Sequence, residues 1–523
     1  MSVSTFSRLF KPFAGHRGTQ PQIELIAVAP VLRAADSGFM AELRDGSFAL
    51  AGYSVRLEGA SPFDAMDSAE VWQTSLHGFC WLRHIAPHAD AGTEQRVHAL
   101  VAQWLATGVR TSQVAVCAPV VARRVLSWLS HADLLLQTHD ARFYDAVLGA
   151  LADDVRRLEQ QWRAIEPAGD RWLAIIALAH AGLCIADGEA LLETAEAALG
   201  VEVRKRQVAS LDTLLRNPDV LANVLLDLEA LRLLYGMRLR PVPNAVTRAE
   251  ALLIETLNNL VLGDGRLARL GAPRDDADAQ LTLAIVTRQV GIADAPSCHD
   301  VNAGFVRLAC DETRIIIDVG APFGSPDALA FEMSSGQSPL IVHDGADAKS
   351  VPDSRGALVF GAATASHTVP AARAILPTLE PTHSKTVEIA DAHAQSVDAT
   401  HAGYARRGFV HRRRLLLGPF GRTLDGIDEL RPLVGGVAQA NARYTVRLVL
   451  HPSVAVVLGM TTDYVELTLA NDHRWRFEAQ GRVLSVEGAV FRDGWKTLPT
   501  RQILVPADAA NNRCVTWRLT RIA

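Results

Sequence analysis

The spacing of apolar residues changes once along this chain, from a helical period to a strand period. That change restricts the fold more than any single motif. From Ser68 to about Leu270 the apolar positions recur at helical spacing, with Val71, Leu76, Phe79, Trp81 and Leu82 in the first segment and Val97, Leu100, Val101, Trp104 and Leu105 in the second. Further helical segments are predicted over Ala118–Leu136, Phe143–Trp162, Arg171–Ile185, Glu189–Leu214, Asp219–Tyr235 and Arg248–Leu262. Short breaks such as Glu166-Pro167-Ala168-Gly169-Asp170 separate them, as expected of helix hairpins packed in a layer or ring. No fixed-period repeat is visible, which argues against a solenoid.

After Gly263-Asp264-Gly265, a turn, the pattern is mixed, and beyond about Ala303 it becomes one of short strands. Arg314 to Val319 is an apolar strand, Arg443–Val449 and Tyr464–Leu469 alternate, and Trp475–Ala479, Val483–Val486, Gln502–Val505 and Cys514–Leu519 continue the series. Many strands without intervening helices predict an antiparallel sandwich. The fold class expected is therefore α+β and multidomain. It has an irregular segment over residues 1–65 with a short strand near Ser47–Tyr53, a helical domain over 66–285 and a β domain over 286–523.

A length of 523 residues suits two or three cores rather than one, and 49% apolar with 21% charged residues is ordinary for a globular protein. The net charge of −5 gives no nucleic-acid signature. Cys80, Cys117, Cys184, Cys298, Cys310 and Cys514 form no CxxC pair and mostly lie in apolar runs, so buried free thiols are favoured over disulfides. Arg8, Lys11 and Arg17 precede no apolar core of signal-peptide type, and no run long enough to span a bilayer exists. The expected location is cytoplasmic, with the periplasm as alternative.

Three groups of residues carry chemistry. The hairpin from Phe331-Glu332-Met333-Ser334 through Ser335-Gly336 to Pro339-Leu340-Ile341-Val342 ends on His343 and Asp344, with His367 downstream. His343, Asp344 and His367 are candidate ligands for one divalent cation, zinc, and a hydrogen-bonded hairpin end is the alternative. A second group joins His401, Tyr404 and His411 to Arg406, Arg407, Arg412, Arg413 and Arg414. One reading is a cationic wall that grips carboxylates or sulfates. The other is a strand whose arginines pair with Asp425, Asp428 and Glu429. The third is His77 in its apolar helix, as a core histidine or a cleft residue, beside Trp72, Trp81, Trp104 and Trp128 as core or as sugar-stacking platforms.

Residue strings in order along most of the chain resemble the heparinase II/III-like family, in a divergent bacterial branch. They are Trp72-Gln73-Thr74-Ser75-Leu76-His77-Gly78-Phe79, Arg124 to Trp128-Leu129, Phe143-Tyr144, Arg216-Asn217-Pro218, Phe331-Glu332-Met333-Ser334, Ala365-Ser366-His367-Thr368, His401-Ala402-Gly403-Tyr404, His411-Arg412-Arg413-Arg414, Trp475-Arg476-Phe477 and Gln502-Ile503. The resemblance implies an α/α-toroid, an incomplete helical barrel, followed by an antiparallel β-sandwich. It implies a polysaccharide lyase that cleaves an acidic, uronic-acid-containing glycan by β-elimination. That chemistry needs a group to neutralise the carboxylate, a base to remove the C5 proton and an acid for the leaving oxygen.

The sequence departs from the family pattern at those places. The family's Asn or His helix corresponds to Arg171-Trp172-Leu173-Ala174, its tyrosine to Val220 after Asn217-Pro218-Asp219, and its first zinc histidine to a point near Ser325. The expected groups are therefore Tyr404 with His411 or His367 as acid and base, Arg171 as carboxylate neutraliser, and Arg406, Arg407, Arg412, Arg414 and His77 as substrate-binding residues. The partner expected is an acidic oligo- or polysaccharide, with no nucleic acid, no membrane span and a possible homodimer. The alternative is a catalytically impaired glycan-binding or cell-envelope-associated protein that retains the lyase fold.

Overall fold

The structure, a computed structural model, describes residues 23–36, 38–65, 68–86, 90–138, 140–209, 212, 214–270, 276–290, 298–300, 303–320, 329–343, 358–360, 384–385, 395–401, 404, 408–433, 443–493, 496–510 and 512–523. The chain divides into two units, Met1–Gln207 with Ala222–Leu253, and Val208–Leu221 with Ile254–Ala523. Among the described residues, no helix is long and apolar enough to cross a membrane.

The first unit is helical apart from the hairpin of β1 (Ser47–Leu50) and β2 (Tyr53–Arg56). Its helices are α1 (Phe39–Arg44), α2 (Glu70–His77), α3 (Leu82–Ile85), α4 (Ala91–Ala106), α5 (Ala118–Ser130), α6 (Ala132–Leu136), α7 (Ala141–Gln161), α8 (Ala168–Cys184) and α9 (Glu189–Val208), with most of α10 (Pro218–Met237) and α11 (Asn244–Asn259). Helix starts follow local chemistry. Asp90 accepts from the Thr93 amide at 2.8 Å to cap α4, and Asp140 accepts from Arg142 at 2.9 Å to cap α7.

The continuous first segment expected from Val71 to Leu82 is broken. Phe79 takes a φ of 54°, so the chain turns between α2 and α3. That turn sends the Phe79 ring against Trp104 and Trp128, each 5.2 Å away, and against Trp81 at 5.4 Å. Trp72, Trp81, Trp104 and Trp128 are all buried, so these rings are core. Each such aromatic contact adds roughly 0.5–1.5 kcal/mol beyond area burial. Helix α8 is apolar all round, as a central helix must be, and Gly182 on it has no room for a side chain: a Cβ there would lie 2.8 Å from Leu192.

The second unit is built on antiparallel strands β3 (Cys298–Asp300), β4 (Phe305–Cys310), β5 (Thr313–Asp318), β6 (Phe331–Ser335), β7 (Ser338–Ile341), β8 (Leu358–Phe360), β9 (Ser384–Lys385), β10 (Gln395–His401), β11 (Phe409–Leu417), β12 (Thr423–Pro432), β13 (Arg443–Val449), β14 (Ala455–Leu458), β15 (Tyr464–Thr468), β16 (Arg474–Ala479), β17 (Ser485–Asp493), β18 (Lys496–Asp508) and β19 (Cys514–Arg521). Among the described residues they form sheets in the orders β14-β15-β16-β19-β12-β11-β10-β9, β17-β18-β13-β8 and β3-β4-β5-β6-β7. One core runs through all three, with Ile315, Ile317, Met333, Leu415, Val446, Phe477, Ile503 and Trp517 among its members.

The hairpin expected after Phe331 is β6–β7, turning at Gly336 with a φ of +57°. Pro339 is tolerated because β7 is an edge strand, where a missing N–H breaks no ladder.

The sheet unit begins further upstream than the expected boundary at 286, since residues 254–285 and 208–221 belong to it. Hydrogen bonds explain why. Glu332 accepts from the amides of Arg269 (2.5 Å) and Leu270 (2.9 Å), Ser334 from that of Gly263 (2.8 Å), and Arg307 donates to the Asn258 carbonyl (2.8 Å). Arg216 pairs with both oxygens of Asp318, at 2.8 and 2.9 Å.

Candidate functional site

Strand alternation places the site. On β11 the inward residues are Phe409, His411, Arg413, Leu415 and Leu417, and on β12 they are Leu424, Gly426, Asp428 and Leu430. Three polar side chains, His411, Arg413 and Asp428, thereby enter a face that is otherwise apolar, and all are fully buried. Such groups persist only where they satisfy one another.

Asp428 is the hub. Its Oδ1 accepts from Arg413 Nε at 2.7 Å and from His411 Nε2 at 2.9 Å, and its Oδ2 accepts from the Trp517 indole at 2.9 Å. Trp517 lies flat against Gly426, where a Cβ would come within 2.0 Å of the ring. Burial alone would raise the Asp428 pKa, but the Arg413 charge and the His411 hydrogen bond outweigh it and hold the carboxyl well below its usual range. Arg413 also donates to the Leu329 carbonyl at 2.8 Å and stands 5.5 Å over the Phe331 ring.

Burial lowers the pKa of His411, as it does more strongly for His401, where His411 and Arg413 add to the effect. Both are therefore neutral near pH 7. Because the ionised Asp428 can only accept, His411 carries its proton on Nε2, and its Nδ1 accepts from His401 Nε2 at 3.2 Å. Tyr404 joins this group, its ring 5.2 Å from His401 and 6.3 Å from His411, while its hydroxyl donates to the Leu358 carbonyl.

The structure thus brings Tyr404 and His411 together, and both are committed to internal hydrogen bonds. His401, grouped with them in the sequence, and Asp428, expected only as an arginine partner, complete the cluster with Trp517, which no sequence pattern places there. One signal was available: Phe409, Leu415 and Leu417 share the parity of His411 and Arg413, which marks that parity as the inward one.

The arginines of β11 separate by the same alternation. Arg412 faces outward and bridges Asp398, through Nε at 2.7 Å, and Glu429 at 3.3 Å, so that its hydrogen bond to Asp398 raises its pKa further. Arg414 is exposed, and its side chain makes no hydrogen bond or ion pair with any described residue. Arg406 and Arg407 lie outside the described residues. Asp425 pairs with Arg518 at 2.5 Å rather than with β11.

Of the expected metal ligands, Asp344 and His367 also lie outside the described residues. His343 is buried and close enough to Asp318 and Glu332 to lower the pKa of each, although burial leaves both raised. Both Asp318 oxygens are taken by Arg216, and Glu332 Oε1 by two amides. Among the described residues no group of three His, Cys, Asp or Glu side chains is arranged to hold a metal.

Arg171 and His77 belong to the helical unit. Arg171, at the start of α8, donates to Glu202 at 3.2 Å and to the Ile165 carbonyl at 2.6 Å. Glu202 is also held by Arg206 at 2.7 Å and Lys205 at 2.8 Å, which together outweigh its burial and lower its pKa. His77 is buried, and its Nδ1 accepts from the Trp104 indole at 3.2 Å. Burial, reinforced by the Arg124 charge, brings its pKa down to about 4. Arg124 itself is buried against Asp154 at 2.7 and 2.9 Å.

Comparison with known proteins adds four findings. Residues 295–518 match the heparinase II/III-like C-terminal family. FtsZ-localized protein C of Caulobacter vibrioides is 26% identical over 348 residues, 64% of this chain, and the match spans 58% of that relative's length. Heparinase III is similar in structure with a TM-score of 0.69 at 12% identity, over 96% of this chain and 87% of that one. A mutant of the heparan sulfate lyase HepC from Pedobacter heparinus has a TM-score of 0.61 at 13% identity, over 99% and 87%. At such identities the likeness is one of fold: a helical toroid followed by an antiparallel β-sandwich.

Proposed function

Because the chain belongs to the heparinase II/III-like family, we propose that it binds an acidic glycan of the cell envelope without cleaving it. One observation carries this reading. Both ring nitrogens of His411 and the hydroxyl of Tyr404 are engaged within the protein, so neither is free to take the C5 proton or to protonate a leaving oxygen. Arg171, the nominated neutraliser, already faces the Glu202 carboxylate.

The lyase fold supports a polysaccharide ligand, with Arg414, Arg406 and Arg407 as the groups that would contact its carboxylates or sulfates. The curated relative is named for its localisation with FtsZ and not for a lyase activity. We take the division site as the place of action. Elimination by Tyr404 and a histidine is the second reading, favoured by the proximity of the Tyr404, His401 and His411 rings.

Incubation with heparan sulfate, chondroitin sulfate, alginate and peptidoglycan fragments separates the two, with binding measured by calorimetry and turnover by the ultraviolet absorbance of an unsaturated uronate. Saturable binding without absorbance growth is expected, and Arg414→Ala should weaken it about two- to fivefold, the worth of one exposed ion pair. Accumulating unsaturated product would restore the lyase reading. Absence of binding across the panel would remove the glycan.

A further inference from the structure

Strand β14 ends the eight-stranded sheet, and among the described residues only β15 pairs with it. Its outer edge offers a row of backbone N–H and C=O groups, which natural proteins ordinarily guard with charge, proline or a cover. The other edges of these sheets have such guards or are very short. β17 carries Glu487 and Arg492, β7 carries Pro339, and β3, β8 and β9 are only three, three and two residues long. From Pro452 to Thr462 there is no charged residue at all. The apolar side chains here are exposed: Val457 at 63%, Met460 at 101%, and Val483 at 68%. Val483 is brought alongside by the bond from the Leu484 amide to the Thr462 carbonyl at 2.8 Å.

We propose that this edge pairs with the β14 edge of a second copy of the chain, joining two eight-stranded sheets across a two-fold axis. The surface selects its occupant. A partner strand must be uncharged, apolar on its outer face and itself an unguarded edge, and β14 meets all three conditions. A two-fold normal to the sheet keeps both core faces on the same side, so it must pass through a residue rather than between two. Centred on Val457, it sets that side chain against its own copy and Ala455 against Gly459. The antiparallel arrangement also brings the end of β14 that bears His451 beside the end that bears Asp463 in the other copy, so that an imidazole and a carboxylate face each other twice by symmetry. The inference stands apart from glycan binding, since β14 contributes none of the groups invoked there.

Sedimentation of the full chain across the micromolar range tests it. A monomer–dimer equilibrium is expected, and Val457→Lys should weaken it by about tenfold or more through like charges set opposite each other on the axis. Val457→Cys, with Cys117 and Cys514 replaced by serine, should form an intermolecular disulfide under mild oxidation, because directly opposed antiparallel residues lie within disulfide reach. Val71→Cys, exposed on the helical unit, should not. A chain that stays monomeric overturns the proposal, as does a dimer that survives Val457→Lys or a Val457→Cys chain that forms no bridge. If Val457→Lys fails to fold, judged by its melting transition, the disulfide result alone decides.

Discussion

His77 illustrates how a residue that reads as a ligand-binding group becomes a stability determinant. Its ring is enclosed by Phe63 and Trp104, with centroids 5.9 Å from Phe63, and Arg124 donates to its backbone carbonyl at 3.0 Å. A proton added to this ring would be buried beside a guanidinium. The folded pKa, about 4, lies below the unfolded value of about 6.5, so the unfolded chain binds more protons between those limits. The stabilisation is fully present above the unfolded pKa and is lost as pH falls toward 4. On the cited scale this is about 3 kcal/mol for the whole interval. Buried His131, His180, His401 and His411 share the same sign, so the measurement must be a difference. Denaturant unfolding from pH 7 to pH 4 should show a shallower decline for His77→Gln than for the unaltered chain. Equal slopes would mean that His77 does not titrate in this interval on unfolding.

At the scale of the element, β11 and β12 form one polar seam inside an apolar sandwich, and two carboxylates on β12 should behave very differently. Asp428 holds Arg413, His411 and Trp517, all buried. Asp428→Asn leaves a buried guanidinium without its counter-charge, and a loss of about 3–5 kcal/mol is expected. Arg518 is solvent-exposed and Asp425 only half-buried, on the outer face of the sheet, so Asp425→Asn should cost about 1 kcal/mol or less. Guanidinium titration of the two variants checks the contrast, and similar losses would contradict the seam's role.

The same strands mark what the sequence could and could not disclose. The hairpin at Phe331–Ile341 and the run of strands were legible because their apolar residues alternate with turn signals between them. The pairing of Arg413 with Asp428 was legible as one of two readings of the arginine cluster. The hub itself was not, since Trp517 is distant in sequence from Asp428 and no local pattern joins them. The break at Phe79 was hidden for a related reason: an apolar residue in the left-handed region carries no turn signature and is held there by ring packing.

Over the whole molecule, periodicity and packing divide the chain at different places. The change from helical to strand spacing suggested a boundary at 286, within the mixed stretch between the turn at Gly263-Asp264-Gly265 and the strands that begin after about Ala303, and α12 (Asp276–Val290) lies across it. Packing assigns residues 254–285 to the sheets, and the buried carboxylate of Glu332 helps to hold them there by accepting from the Arg269 and Leu270 amides. A secondary-structure pattern reports only how a segment satisfies itself, whereas Glu332, Ser334 and Arg307 are satisfied by backbone far upstream. Burial pushes the Glu332 pKa up even with those amides in place, so without them the group would be a desolvated acceptor lacking donors. A fragment of residues 286–523 should therefore fail to unfold cooperatively, while one of residues 254–523 should show a denaturant transition with native-like near-ultraviolet dichroism. Each buried polar group left unpaired costs about 1–3 kcal/mol; Glu332 and Ser334 would be orphaned together and Arg307 would lose its bond to the Asn258 carbonyl, a large part of the roughly 5–15 kcal/mol typical of a domain. Coincident transitions for the two fragments would mean that the upstream segment is carried by the sheets without supporting them.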